Sequence, residues 1–213
     1  MITTKLLPIG FLSIGVFLLM QVILPIASFQ IWEFGQKFNN SLLISPNFPK
    51  NGQVLGVSIQ NSDNFSEIVS NLTRESKANY SEFRISVPRL KMAGAPVLVD
   101  SNEISKGLVH LPGSALPGEK GNVFISGHSA LNNFFSFQHA PFANLQDLKI
   151  GDQIIVEADN ARYTYQVIDL KAVNPTDLSV IAAPDSVNRF ISLMTCVPPG
   201  LNFKRLVVLG KMI

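Results

Sequence analysis

Cys196 is the single cysteine in a chain of 213 residues. It ends the apolar run Phe190-Ile-Ser-Leu-Met-Thr-Cys196 and is followed at once by Val197-Pro-Pro-Gly200, where a core strand gives way to a loop. Free cysteines are commonly inert buried thiols. A thiol becomes a nucleophile when a base or a cation lowers its pKa and a further group steadies the oxyanion formed on attack. Two residues of those types stand at comparable places. His128 follows Ile125-Ser-Gly at the end of another apolar run, and Arg205 opens the run after the cysteine loop. An imidazole titrates near neutral pH and suits a proton carrier. A guanidinium is a permanent charge with a fixed donor fork. Together the three describe thiol-based acyl transfer; a structural core thiol is the competing reading.

Strands have to hold these residues. From about Tyr80 the sequence becomes short β-type runs broken by Pro and Gly. They are 83–87, 96–100, 122–127, 152–158, 162–169, 190–196 and 205–210, and Arg162-Tyr-Thr-Tyr-Gln-Val167 shows the clearest period-two alternation. Short helices are expected only near 131–138 and 185–190. Repeated short strands with few helices indicate an all-β domain, an antiparallel barrel or sandwich, and about 130 residues suffice for one core.

The remaining chain is of other character. Leu6 to Trp32 carries no charge, lying between Lys5 and Glu33, and accounts for a mean hydropathy of +0.26 beside only 15% charged residues. About 20 apolar residues span a bilayer core of about 30 Å, and this run exceeds the apolar stretch of a cleaved signal. It reads as a signal anchor, although Ala27-Ser28 is compatible with cleavage. Lys5 gives slight support to a cytoplasmic N-terminus with the rest outside. Residues 39–80 turn to Asn and Ser, first as a linker with Pro46, Pro49 and Gly52. A polar helix is then expected over about 63–78, with Phe65, Ile68, Val69 and Leu72 on one face. The layout is therefore a tail (1–5), an anchor (6–32), a linker with a polar helical segment (33–80) and a β-domain (81–213). With 17 Lys+Arg against 15 Asp+Glu the net charge is +2, which excludes a strongly basic nucleic-acid binder. One cysteine excludes a disulfide framework.

Gly121-Asn-Val-Phe-Ile-Ser-Gly-His128 resembles the GNxxIxGH segment of sortases. Leu193-Met-Thr-Cys196-Val-Pro-Pro-Gly200-Leu-Asn202-Phe-Lys-Arg205-Leu-Val-Val208 is similar to their LxTCxPxGxNxxRLxV signature. Leu116-Pro-Gly-Glu119, Phe142-Ala-Asn-Leu145, Leu148-Lys-Ile-Gly-Asp152 and Tyr163-Thr-Tyr165 are similar too, so the resemblance covers about residues 83–213. It implies a closed eight-stranded β-barrel behind an N-terminal transmembrane helix, and a cysteine transpeptidase at the cell membrane. By that resemblance Cys196 is the nucleophile, cleaving an LPxTG-like sorting signal of a surface protein between Thr and Gly to form a thioacyl enzyme. An amine of a cell-wall precursor or of another surface protein then resolves it. His128 would protonate the leaving amine and activate the incoming one, and Arg205 would support the oxyanion. No cofactor, metal or nucleic acid enters this scheme.

Thr195 and Ser129 are candidate substrate contacts on the same resemblance. Thr195 is equally an ordinary β-branched strand residue, and Ser129 stands where many sortases have Arg. The cysteine loop resembles that of pilin-polymerising sortases. No Asp-Pro-aromatic lid precedes the barrel, and no second membrane helix follows it before Ile213, so a class D- or E-like enzyme is the expected subgroup. A papain-like hydrolase would place Cys before His, the reverse of the order here. A non-catalytic, membrane-anchored surface β-domain is the alternative. His110 and His139 lie 18 and 11 positions from His128, neither a helical metal-pair spacing. Asp177 and Asp185 are too dispersed for a calcium site, and Phe134, Phe135 and Phe137 read as packing residues.

Overall fold

The structure is a computed structural model that describes residues 3–36, 57–62, 65–70, 74, 77–129, 140–199 and 202–213. The chain divides into two units, 1–39 and 40–213. The first holds helix α1 (Thr3–Gln36), in which Phe11–Ile31 is long and apolar enough to cross a membrane. At 1.5 Å per residue those 21 residues reach about 31 Å, the thickness of a bilayer core. Val16, Phe17, Leu18, Leu19 and Met20 are all exposed, so successive residues around the whole circumference are apolar, as lipid requires.

The second unit begins with a hairpin, β1 (Val57–Ser62) and β2 (Phe65–Ser70), antiparallel with Ser62 opposite Phe65 and Ile59 opposite Ile68. This corrects the polar helix expected over 63–78. The spacing of Phe65, Ile68 and Val69 fits a helix face, but Ser, Asn and β-branched residues are poor helix formers, and pairing across two residues meets their backbone needs in a hairpin. Leu72 lies outside the described residues. Ser70 ties this segment to the loop after β4, its amide donating to Asn102 Oδ1 (3.2 Å) and its carbonyl accepting from Asn102 Nδ2 (3.2 Å).

Eight further strands close a barrel: β3 (Glu82–Val87), β4 (Met92–Leu98), β5 (Leu108–His110), β6 (Gly121–Ser126), β7 (Gln153–Ala158), β8 (Ala161–Val173), β9 (Arg189–Val197) and β10 (Lys204–Met212). Around the barrel they run β3-β4-β5-β6-β9-β10-β8-β7, with β7 returning to β3. All seven strands expected from sequence are present, the run 162–169 extending to thirteen residues in β8. β5 is additional: three residues paired parallel to β4 and antiparallel to β6. The helix expected at 185–190 is absent. Asp185 instead accepts the amides of Val187 (2.9 Å) and Asn188 (2.7 Å) in a turn, and Arg189 already begins β9. The region 131–138, the three phenylalanines within it and His139 lie outside the described residues.

An eight-stranded barrel is just wide enough for side chains to fill it. Phe83, Ile85 and Val87 of β3, Ile154 and Val156 of β7, Tyr165 and Val167 of β8, and Ile191 and Leu193 of β9 are essentially inaccessible. On β6, β9 and β10 both faces are buried. Phe124, Met194 and Val207, which alternate with the inward residues, pack with Leu111, Val173, Leu178 and Val180 beneath the single turn Leu178–Ile181. These strands are therefore continuous apolar runs, whereas β3 and β7 alternate buried with exposed or half-buried residues.

Candidate active site

β6 and β9 run parallel, with Phe124 opposite Ser192 and Ser126 opposite Met194. Both strands end at the same rim of the barrel, so chain positions 68 apart come level there. Gly127 N–H continues the ladder to Met194 O at 3.1 Å. His128 lies two residues past Ser126, and Cys196 lies two residues past Met194. β10 runs back antiparallel along β9 with Arg205 opposite Cys196 and Val207 opposite Met194. Residues alternate faces along a strand. Cys196 and Arg205 therefore share the face of Met194, Val207 and Phe124, outside the barrel interior, and His128 follows the end of β6 by two residues. The fold brings Cys196 and Arg205 opposite one another on one face, with His128 just past the end of the neighbouring strand β6.

Cys196 is 4% exposed and Arg205 2%, while His128 is half-buried. A buried guanidinium must be hydrogen-bonded, and Arg205 Nη1 donates to Asn202 O and Lys204 O, each at 3.3 Å. These bonds fold the side chain back onto the end of the cysteine loop, holding a permanent charge beside the strand position of the thiol. Thr195 and Ser129 are buried as well, 3% and 6% exposed. Thr195 Oγ1 donates to Gly127 O at 2.8 Å and Ser129 Oγ to Cys196 O at 2.5 Å. Both hydroxyls are thus engaged with the backbone of the opposite strand end.

Gly127 was not singled out in the sequence. An added Cβ there would meet Leu108 Cδ2 at 2.5 Å and Phe142 Cδ2 at 2.8 Å, so the residue before His128 has no room for a side chain. A lone Gly at the end of an apolar strand is the signal for such a close approach.

The remaining polar candidates have other duties. His110, wholly buried, sets Nε2 at 2.9 Å from Ala115 O and 2.8 Å from Ser114 Oγ. Its Nδ1 lies 3.5 Å from Asp100 Oδ1. Arg74 clasps the same carboxylate through Nη1 (2.9 Å) and Nη2 (2.6 Å) and also donates to Ser114 O (2.7 Å). His110 first, and Arg74 after it, hold the Asp100 carboxyl below its ordinary range against the opposing effect of partial burial. Asp177 accepts from Ser179 N (3.1 Å) at the start of its short helix. Among the described residues no group of three or more His, Cys, Asp or Glu is disposed to hold a metal.

Comparison with known proteins agrees with this barrel. The Sortase domain family model matches residues 85–213, which contain every residue of the site. The chain is 27% identical to Sortase D of Bacillus subtilis (strain 168) over 132 residues, 60% of this chain and 61% of the relative. It is 31% identical to Sortase A of Bacillus anthracis, over 61% of this chain and 59% of the relative. The chain thus spans about three fifths of the length of these curated relatives. Among solved structures, Sortase A from Corynebacterium diphtheriae is 32% identical with a TM-score of 0.53, covering 65% of this chain and 63% of that one. With the family's domain matched over more than half of its length, the chain belongs to the sortase family.

Proposed function

We propose that the protein is a membrane-anchored cysteine transpeptidase that acts on C-terminal sorting signals of surface proteins. The family supplies the class of reaction. The observation that supports the named residues is the register that sets Arg205 opposite Cys196, with His128 just past the end of β6, the parallel neighbour of β9. In this reading the Cys196 thiolate attacks the Thr carbonyl carbon of an LPxTG-like signal, and Arg205 steadies the charge on the carbonyl oxygen. The Thr–Gly bond breaks, the His128 imidazolium gives its proton to the leaving amine, and the acyl group stays on sulfur as a thioester. A primary amine from a cell-wall precursor or a pilin-like surface protein attacks that thioester. It loses its proton to His128 and expels the thiolate, which restores the starting state.

Helix α1 supports the anchor, with residues 1–5 in the cytoplasm, 6–32 in the bilayer, 33–80 as connecting segment and the barrel over 81–213 outside. The test uses the full chain in detergent micelles and a fluorogenic LPxTG-containing peptide. Cleavage that accelerates with added triglycine, and falls at least a thousandfold in Cys196→Ala, His128→Ala and Arg205→Ala, is the expected result. Undiminished cleavage in Cys196→Ala would overturn it. Burial of Cys196 favours the second reading, a structural thiol in a non-catalytic surface domain. Complete protection of the folded chain from a charged thiol reagent, with no cleavage of any sorting peptide, would support that one.

A further inference from the structure

A parallel ladder continued beyond Ser126 and Met194 would next use two acceptors, the carbonyl of Gly127 and the carbonyl of Cys196. Both are taken by side-chain hydroxyls. Thr195 Oγ1 donates to Gly127 O (2.8 Å) and Ser129 Oγ donates to Cys196 O (2.5 Å). The two bonds run in opposite directions between the strand ends and fall on the neighbours of the reactive residues: Gly127 and Ser129 flank His128, and Thr195 precedes Cys196. Both hydroxyls are buried.

Two strands leaving a barrel rim would ordinarily splay once their backbone ladder stops, as the loops that follow head elsewhere. The hydroxyl bonds extend the pairing across the two residues whose spacing the chemistry requires. Ser129 also fixes the carbonyl of the nucleophile's own residue, restraining the peptide plane that follows Cys196.

We propose that Ser129 and Thr195 are a pair of positioning residues whose reciprocal hydroxyl bonds hold His128 and Cys196 in register past the end of the β6–β9 ladder. This rests on the reading of His128 and Cys196 as the reacting couple. A misplacement of about 1 Å in such a couple costs on the order of a hundredfold in rate.

The test compares the full-length chain in detergent with Ser129→Ala, Ser129→Thr, Thr195→Val and Thr195→Ser. Readouts are kcat and KM for the sorting peptide, and the pH profile of Cys196 alkylation by iodoacetamide, which needs no substrate and reports on the only thiol in the chain. The expected result is a ten- to hundredfold fall in kcat for Ser129→Ala and Thr195→Val, with KM within about twofold. Their alkylation midpoints shift from wild type, and both hydroxyl-retaining variants recover to within about threefold. A kcat within about twofold of wild type in a folded Ser129→Ala or Thr195→Val variant overturns the proposal. So does a loss that the hydroxyl-retaining variants fail to rescue, or an unshifted alkylation profile. Cys196→Ala and His128→Ala serve as controls: inactive controls beside an active Ser129→Ala overturn the positioning pair alone, whereas active controls overturn the underlying reading of function as well.

Discussion

Replacing Gly127 by Ala tests whether close packing behind the strand end sets the place of His128. The new Cβ would lie 2.5 Å from Leu108 Cδ2, 2.8 Å from Phe142 Cδ2 and 3.2 Å from Phe142 Cγ. Carbon atoms prefer about 3.5–4.0 Å, so about 1 Å of relief is needed at two neighbours together. The Leu108 methyl is the end of a flexible side chain and can turn aside, but the Phe142 ring is wholly buried and rigid. Overpacking of this kind costs about 1–3 kcal/mol. At about 2.1 cal/mol/K per residue over a barrel of roughly 130 residues, the melting temperature falls by about 4–11 °C. Any relief taken by the backbone instead displaces the Gly127 carbonyl and the adjacent His128, and a shift of about 1 Å costs on the order of a hundredfold in turnover. Thermal unfolding of the full chain followed by near-ultraviolet circular dichroism gives the first quantity, and peptide-cleavage kinetics give the second. Leu108→Ala supplies a check on the cause, because it makes room for the new methyl and should cost less in the Gly127→Ala background than in wild type. A Gly127→Ala protein with unchanged melting temperature and unchanged kcat would refute the packing argument.

Three other outcomes are expected. The Asp100 carboxyl is held low by His110 and Arg74, so its contribution to stability is present above the ordinary carboxylate range near pH 4 and lost as pH falls through its lowered pKa; urea midpoints between pH 2.5 and 7 should decline less steeply on the acid side in Asp100→Asn than in wild type. Burial first, then Tyr163, raises the Tyr80 phenol to about 12, so whatever stability it confers is complete below about pH 10 and lost as pH rises through about 12; in absorbance titration at 295 nm, Tyr80→Phe should remove a phenolate component near that value. Gly118 has φ +86° and its missing Cβ would strike the Tyr163 ring, so Gly118→Ala should lower the melting temperature more than Gly107→Ala, which is also left-handed at φ +126° but meets nothing within 4 Å.

The strands beside the candidate residues were legible because burial on both faces makes β6, β9 and β10 largely apolar runs ended by Gly, Pro or a charge. β5 was not legible, since Leu108-Val-His110 is too short to show a period and gains its ladder from β4 and β6, distant in sequence. The hairpin of β1 and β2 was mistaken for a helix because Phe65, Ile68 and Val69 fall at helical spacing, whereas the strand is decided by pairing to residues 57–62. Cys196, His128 and Arg205 could be named as a chemical set, but the opposition of Arg205 to Cys196 is a matter of strand register. The sequence also gave no sign that the Thr195 and Ser129 hydroxyls bond across strands rather than offering themselves to a ligand. The link from Arg74 through Asp100 to His110 joins residues up to 36 positions apart and has no local signature.

β10 is the last barrel strand to leave the ribosome, and it lies between β9 and β8, whose other neighbours are already available before it arrives. Until those nine residues seat, β9 is an edge, the barrel is open, and the thiol-bearing strand has no guanidinium opposite it. Cys196 is synthesised before Arg205, and the two come opposite one another only when β10 closes the barrel. A product truncated before Arg205 would keep Cys196 and His128 yet lack β10, the strand that pairs with both β9 and β8 to close the barrel.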